Sequence, residues 1–129
     1  VFIYHIESTS RLAEPASVVL RALAGGAFVG ITSVVTLMEI TVRPLQQGRP
    51  AVAEEYEVLL ANYPNLVLAE IDRAIARQAA WLRARYRCRP ADALQMATSL
   101  EHAGTAFVTN DRELQRVTEL RILILEDFA

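Results

Sequence analysis

The stretch PADALQMATSLEHAGTAFVTNDREL, residues 90–114, decides the fold. Set out at about 100° per residue, Ala93, Met96, Ala97, Leu100 and Ala103 form one apolar arc of a helix, and Gly104 ends it. Directly after the glycine, TAFVT at 105–109 is a short run of strand-forming residues, and Asn110-Asp111 opens a turn. Asp92 borders the apolar arc in the helix's first turn. An isolated carboxylate there must be solvated, protonated, paired or bound to a cation.

The same alternation of helix and strand extends in both directions. EPASVVLRALAGG predicts a helix closed at Gly25-Gly26, and AFVGI at 27–31 a short buried strand. Thr32 and Ser33 are candidate N-caps of a helix VVTLMEITV, which Pro44 is expected to bend or stop. After QQGRP, residues 51–62 read as a helix and LVLAEI at 66–71 as a strand. Asp72 caps a long helix over about 73–87, and Arg89-Pro90 separates it from the helix quoted above. RILIL at 121–125 is a last strand. This pattern predicts an α/β fold: a three-layer α/β/α sandwich whose mainly parallel sheet is covered by helices on both faces, with right-handed crossovers.

A length of 129 residues implies one domain with one core. Hydrophobic residues make up 53% and charged ones 22%, which excludes a disordered chain. No segment approaches the roughly 18 uninterrupted apolar residues of a membrane span, and no secretory leader stands at the start, so a cytoplasmic protein is expected. The single Cys88 excludes an internal disulfide and a cysteine-based zinc framework.

A formal net charge of −2 does not mark a strong nucleic-acid binder. Distribution says more. All 13 basic residues are arginine, and Arg73, Arg77, Arg83, Arg85, Arg87 and Arg89 surround Trp81. The guanidinium fork suits phosphate and an indole stacks on a base, so this is a candidate RNA-facing patch. The plainer reading, slightly favoured by the residues alone, is a solvated helix face with arginine stems lying over the core.

Three acids map to the carboxyl ends of the strands, where open parallel sheets place their functional crevice. Glu39 lies on the helix after AFVGI, flanked by Val35 and Val42; Asp92 opens its helix; Asp111 follows TAFVT. Each has a plain structural explanation: Asp92 is favoured by the helix dipole and Asp111 by capping of the turn. Glu39 has the weakest such explanation. Clustered carboxylates repel unless a cation joins them, and Mg²⁺ or Mn²⁺ takes oxygen ligands of this kind. A metal so held activates water and neutralises a phosphodiester, which implies hydrolytic phosphodiester cleavage.

VFIYHIE, ITSVVTLMEI and the stretch quoted at the outset together resemble the PIN-domain ribonucleases, and especially the VapC-type toxins of toxin–antitoxin pairs. The resemblance covers essentially the whole chain, residues 1–129, as a single PIN-like domain. It implies that Glu39, Asp92 and Asp111 are catalytic acids that hold Mg²⁺ or Mn²⁺, and that Thr109 and Asn110 are polar positions shaping the site. Arg83, Arg85, Arg87 and Arg89 are then candidate RNA contacts. It further implies an endoribonuclease leaving 5′-phosphate and 3′-hydroxyl ends, a homodimer, and a VapB-like antitoxin as partner. Members of the family carry another metal-binding aspartate at the end of a first strand, just before the segment matched by VFIY. That strand and aspartate are missing from the sequence, so the natural protein is expected to continue upstream of Val1.

The missing aspartate and the acidic net charge support an alternative: a catalytically weak PIN scaffold that serves as a protein-binding module. A phosphoacceptor receiver domain fits poorly, because it needs a lysine late in the chain and the sequence has none.

Overall fold

Ser33 shows how the local sequence starts an element: its hydroxyl accepts a hydrogen bond from the Val35 amide at 3.1 Å and so caps the helix that follows. The computed structural model describes residues 13–128. The opening run VFIYHIE lies outside the described residues. Helix α1 (Ala13–Ala24) buries Ala16, Val19, Leu20 and Leu23 along one stripe. It closes as the sequence predicts, with the Gly25 and Gly26 amides bonded to Arg21 and Leu23 carbonyls and Gly26 at φ 83°.

Strand β1 (Gly30–Ser33) begins three residues later than expected. Phe28 and Val29 are exposed instead, because the parallel ladder with β2 (Leu66–Ala69) starts only at Gly30 opposite Leu66. Helix α2 (Val34–Gln46) runs through Pro44. Proline there removes a single helical bond close to the C-terminus, and its ring is buried, so the helix stops only two residues further on. Thr32 does not cap; its hydroxyl bonds that of Thr36 at 2.6 Å.

Pro50 opens α3 (Pro50–Ala61). The Asp72 carboxylate accepts from the Ile75 amide at 2.9 Å and caps α4 (Arg73–Tyr86). Arg87, left-handed at φ 54°, ends it. Then come α5 (Pro90–Glu101), β3 (Ala106–Thr109), a 3-10 turn over Arg112–Arg116, β4 (Arg121–Ile124) and a closing 3-10 turn, Leu125–Phe128.

The predicted α/β class holds, with parallel strands among many helices. Among the described residues the strands form two parallel pairs, β1 with β2 and β3 with β4, the latter in register from Ala106 opposite Arg121. Around the second pair, α4 and α5 bury Ile75, Ala79, Leu82, Ala93, Met96 and Ala97 together with Leu114 and Val117. Around the first, Leu20, Leu23, Ile40 and Leu60 close α1, α2 and α3. Val19 and Leu125 pin α1 to the C-terminal turn.

Ala103 is not part of the apolar arc of α5: it lies beyond the helix end, exposed, at φ 56°. The chain turns so sharply there that a Cβ on Gly104 would stand 2.1 Å from the Ser99 hydroxyl and 2.9 Å from the Ser99 carbonyl oxygen. The Gly104 amide bonds that same carbonyl at 2.7 Å. Gly104→Ala is therefore expected to lower stability by about 1–3 kcal/mol, read as a lower urea midpoint at unchanged slope.

Candidate active site

Asp92 owes its position to what lies beneath it. Ala93, Met96 and Ala97 are fully buried at 0% exposure, so the first turn of α5 cannot rotate or slide. Three residues earlier, the Arg89 guanidinium donates from Nε to Asp92 Oδ2 at 3.1 Å. Its Nη2 stands 4.0 Å from Asp111 Oδ2. Asp111 divides its two oxygens between tasks: Oδ1 accepts from the Glu113 amide at 3.0 Å and caps the 3-10 turn, leaving Oδ2 to face Arg89. The Thr109 hydroxyl accepts from the Asp111 amide at 3.1 Å and sets the angle at which the chain leaves β3.

These groups line a cleft of about 330 Å³ shared with Arg87, Cys88, Glu113, Leu114 and Arg116. The guanidinium of Arg89 is held in its charged form more firmly than usual. Its hydrogen bond to Asp92 contributes most, then the charge of Asp92, then those of Asp111 and Glu39. Three acids thus act on one cation, at different ranges.

The two aspartates meet; Glu39 stands apart from them. It is half-buried and lines a neighbouring cleft of about 480 Å³ between α2 and α3, with Arg43, Arg49 and Tyr56. Among the described residues no three His, Cys, Asp or Glu side chains stand close enough together to hold one metal ion. Val42, expected to pack beside Glu39, is exposed, whereas Val35 is buried.

Asp92 and Asp111 nevertheless suit a hard divalent cation, which commonly takes one or two carboxylates and keeps several waters. Arg89 places a positive charge between them. With 77% of its side chain exposed, Arg89 can turn away from the pair without disturbing the core. Arg89→Gln is expected to bind Mn²⁺ roughly three- to tenfold more tightly, since a solvent-screened competing cation is removed; titration calorimetry reads this directly. Unchanged or weaker binding would show that Arg89 does not compete.

The remaining expected residues separate. Asn110 braces the turn from behind, exchanging bonds with Glu126: its Nδ2 donates to Glu126 Oε1 at 3.2 Å, and the Glu126 amide donates to its Oδ1 at 3.3 Å. The Arg83 Nε donates to the Cys88 carbonyl at 3.1 Å, tying the end of α4 to the following turn. Arg85 pairs with Glu119 at 3.4 Å. Arg87 and Arg89 line the cleft. Cys88 is 5% exposed, its thiol pushed up by burial, and it packs in the core.

Gln95 escaped the sequence reading. Its Oε1 accepts from the Ser33 amide at 3.1 Å and its Nε2 donates to the Thr36 hydroxyl at 2.7 Å. The side chain therefore bolts α5 to the start of α2, and through it fixes the helix of Asp92 against the helix of Glu39. Its signal was an amide one turn after Asp92 on a helix otherwise rich in alanine.

The family model of the PIN domain matches residues 1–120. The chain also shares its fold with a solved toxin-antitoxin complex from Klebsiella pneumoniae, at a TM-score of 0.67 and 19% identity, over 95% of this chain and 91% of that one. No curated protein matches the sequence. Among the described residues no helix is long and apolar enough to cross a membrane.

Proposed function

Since the chain belongs to the PIN-domain family, we propose that it is an endoribonuclease dependent on Mg²⁺ or Mn²⁺, cutting single-stranded RNA as the toxin of a VapBC-type toxin–antitoxin pair. The observation that carries this reading is the meeting of Asp92 and Asp111 around one positive charge, in a cleft at the carboxyl end of β3. PIN domains are generally nucleases, and these two acids match the positions at which that family holds its metal.

Asp92 and Asp111 would hold the cation. When bound, it supplies Lewis acidity: a water more acidic than in bulk, and a positive charge against the phosphodiester. The protein's own groups do the rest. Because Asp111 Oδ1 is committed to the Glu113 amide, Oδ2 is presented in one direction. Thr109 holds the turn that carries it. Arg89 releases the carboxylates as the substrate arrives and receives a phosphate oxygen, for which its planar fork is suited. Glu39 lines the neighbouring cleft from α2 and acts on Arg89 through charge alone, so in this reading it contributes to the field of the site and Asp92 and Asp111 supply the ligands.

An antitoxin partner and a homodimer belong to the same reading. The antitoxin is supported by the fold shared with a protein solved in a toxin-antitoxin complex; the homodimer follows from the family resemblance alone. Co-expression with the product of the adjacent gene is expected to yield a stable complex in which RNA cleavage is suppressed. A second reading, a binding scaffold with little catalysis, draws on one observation: Arg89 already neutralises much of the acidic pair.

Incubation with unstructured RNA separates the two. Cleavage in Mg²⁺ or Mn²⁺, abolished by EDTA and leaving 5′-phosphate ends, is the expected result. A folded protein that cuts nothing in either metal would establish the scaffold, and cleavage that survives EDTA would overturn the metal-dependent mechanism.

A further inference from the structure

Helix α4 carries Arg73, Arg77, Trp81 and Arg85 at intervals of four residues. Each step of four advances about 40° around the axis, so the four side chains form one slowly winding stripe. Ile75, Ala79 and Leu82 are buried on roughly the opposite face. All four stripe residues are exposed, and Trp81 is 66% so. No acid lies within α4. Glu119, which pairs with Arg85 at 3.4 Å and accepts from the Tyr86 hydroxyl, brings a carboxylate to one end.

An exposed indole among three guanidinium groups has no role in the core. In charge, the stripe is complementary to a polyanion over about 18 Å of helix axis. It is also continuous with the candidate active site: roughly 8 Å of helix beyond Trp81, the chain enters the cleft through Arg87 and Arg89. An acidic protein surface would satisfy the charges and leave the ring unexplained, whereas a single strand offers phosphates at intervals and a base face beside each.

We infer that the Arg73–Arg77–Trp81–Arg85 face of α4 is a platform for single-stranded RNA, on which Trp81 stacks a base while the arginines follow the backbone and lead the strand toward Asp92 and Asp111. This rests on the ribonuclease reading above and names the residues that seat the substrate outside the acidic cleft.

Trp81 is the single tryptophan of the chain, so its fluorescence reports this surface alone. The Asp92→Asn protein, in EDTA, is titrated with single-stranded octa-adenylate, following both Trp81 emission and the anisotropy of end-labelled RNA. Quenching is expected to accompany binding and to weaken as salt rises. Arg77→Ala is expected to lower the magnitude of the salt slope by roughly 0.7, the share of one phosphate on a single strand. Trp81→Ala is expected to weaken binding roughly tenfold to a hundredfold, with Trp81→Phe retaining most of it. In cleavage assays with metal, Trp81→Ala raises KM by the same factor and leaves kcat unchanged.

Binding seen by anisotropy with no change in Trp81 emission would overturn the platform and leave the cleavage chemistry standing. So would emission that shifts with protein concentration alone, which would make this face a protein interface, or a complete absence of binding. Quenching in a protein that never cleaves RNA would instead sink the nuclease reading and keep the platform.

Discussion

Asp92→Asn is expected to reduce RNA cleavage by at least a hundredfold while the protein stays folded. The substitution keeps the size of the side chain and removes its charge. One of the two carboxylates that meet in the cleft is then neutral, and transition-state stabilisation worth several kcal/mol is lost with it. The structural cost is small by comparison. Asp92 favours the helix start by roughly 0.3–1 kcal/mol through the dipole, and its bond with the exposed Arg89 adds little. Cleavage rate and urea midpoint must therefore part company. Mn²⁺ binding by calorimetry is expected to weaken roughly tenfold or more. A variant that cleaves within a fewfold of the natural protein would remove Asp92 from the mechanism and, with it, the main support for the site.

Met96→Ala tests the platform beneath that charge and carries the largest expected effect on stability. Met96 is 0% exposed and sits in the cluster that joins α4, α5 and the 3-10 turn after Asp111. Truncation leaves a cavity between elements that are each fixed by other contacts, so collapse around it is incomplete. A loss of about 2–5 kcal/mol follows, which is a large share of the 5–15 kcal/mol typical of a domain. The urea midpoint is expected to fall accordingly at unchanged slope. A loss below about 1 kcal/mol would contradict the close packing of α5 on α4. Because the same cluster includes Leu114, the 3-10 turn that Asp111 caps loosens together with the start of α5, and cleavage is expected to decline before global unfolding.

Much of the framework was legible because its causes are short-ranged. Ser33 and Asp72 cap helices through amides two and three residues away, and the Gly25-Gly26 stop acts on carbonyls of the preceding turn. Such signals need no knowledge of the rest of the chain. Boundaries set by pairing were less legible. The strand expected at 27–31 lies at 30–33 because β2 meets it there. Pro44 failed to end its helix because burial of its ring offsets the one bond it removes.

The candidate site divides along the same line. Periodicity placed Asp92 on the rim of an apolar helix face and Asp111 at the end of a strand, and the carboxyl-end rule for parallel sheets put both on one side. Sequence spacing had no means of showing that Arg89, read as a candidate RNA contact, turns back onto both acids, or that Gln95 bolts two distant helices together across 62 residues of chain. What the sequence by itself determined was the order of helices and strands and the presence of acids near their ends, since backbone hydrogen bonding and side-chain periodicity act within a turn or two. Only the tertiary structure decided which charges meet: Asp111 reaches the guanidinium that Asp92 holds because β3 and the turn after it pack beside α5, while Glu39, carried on a helix of the other strand pair, lines the neighbouring cleft.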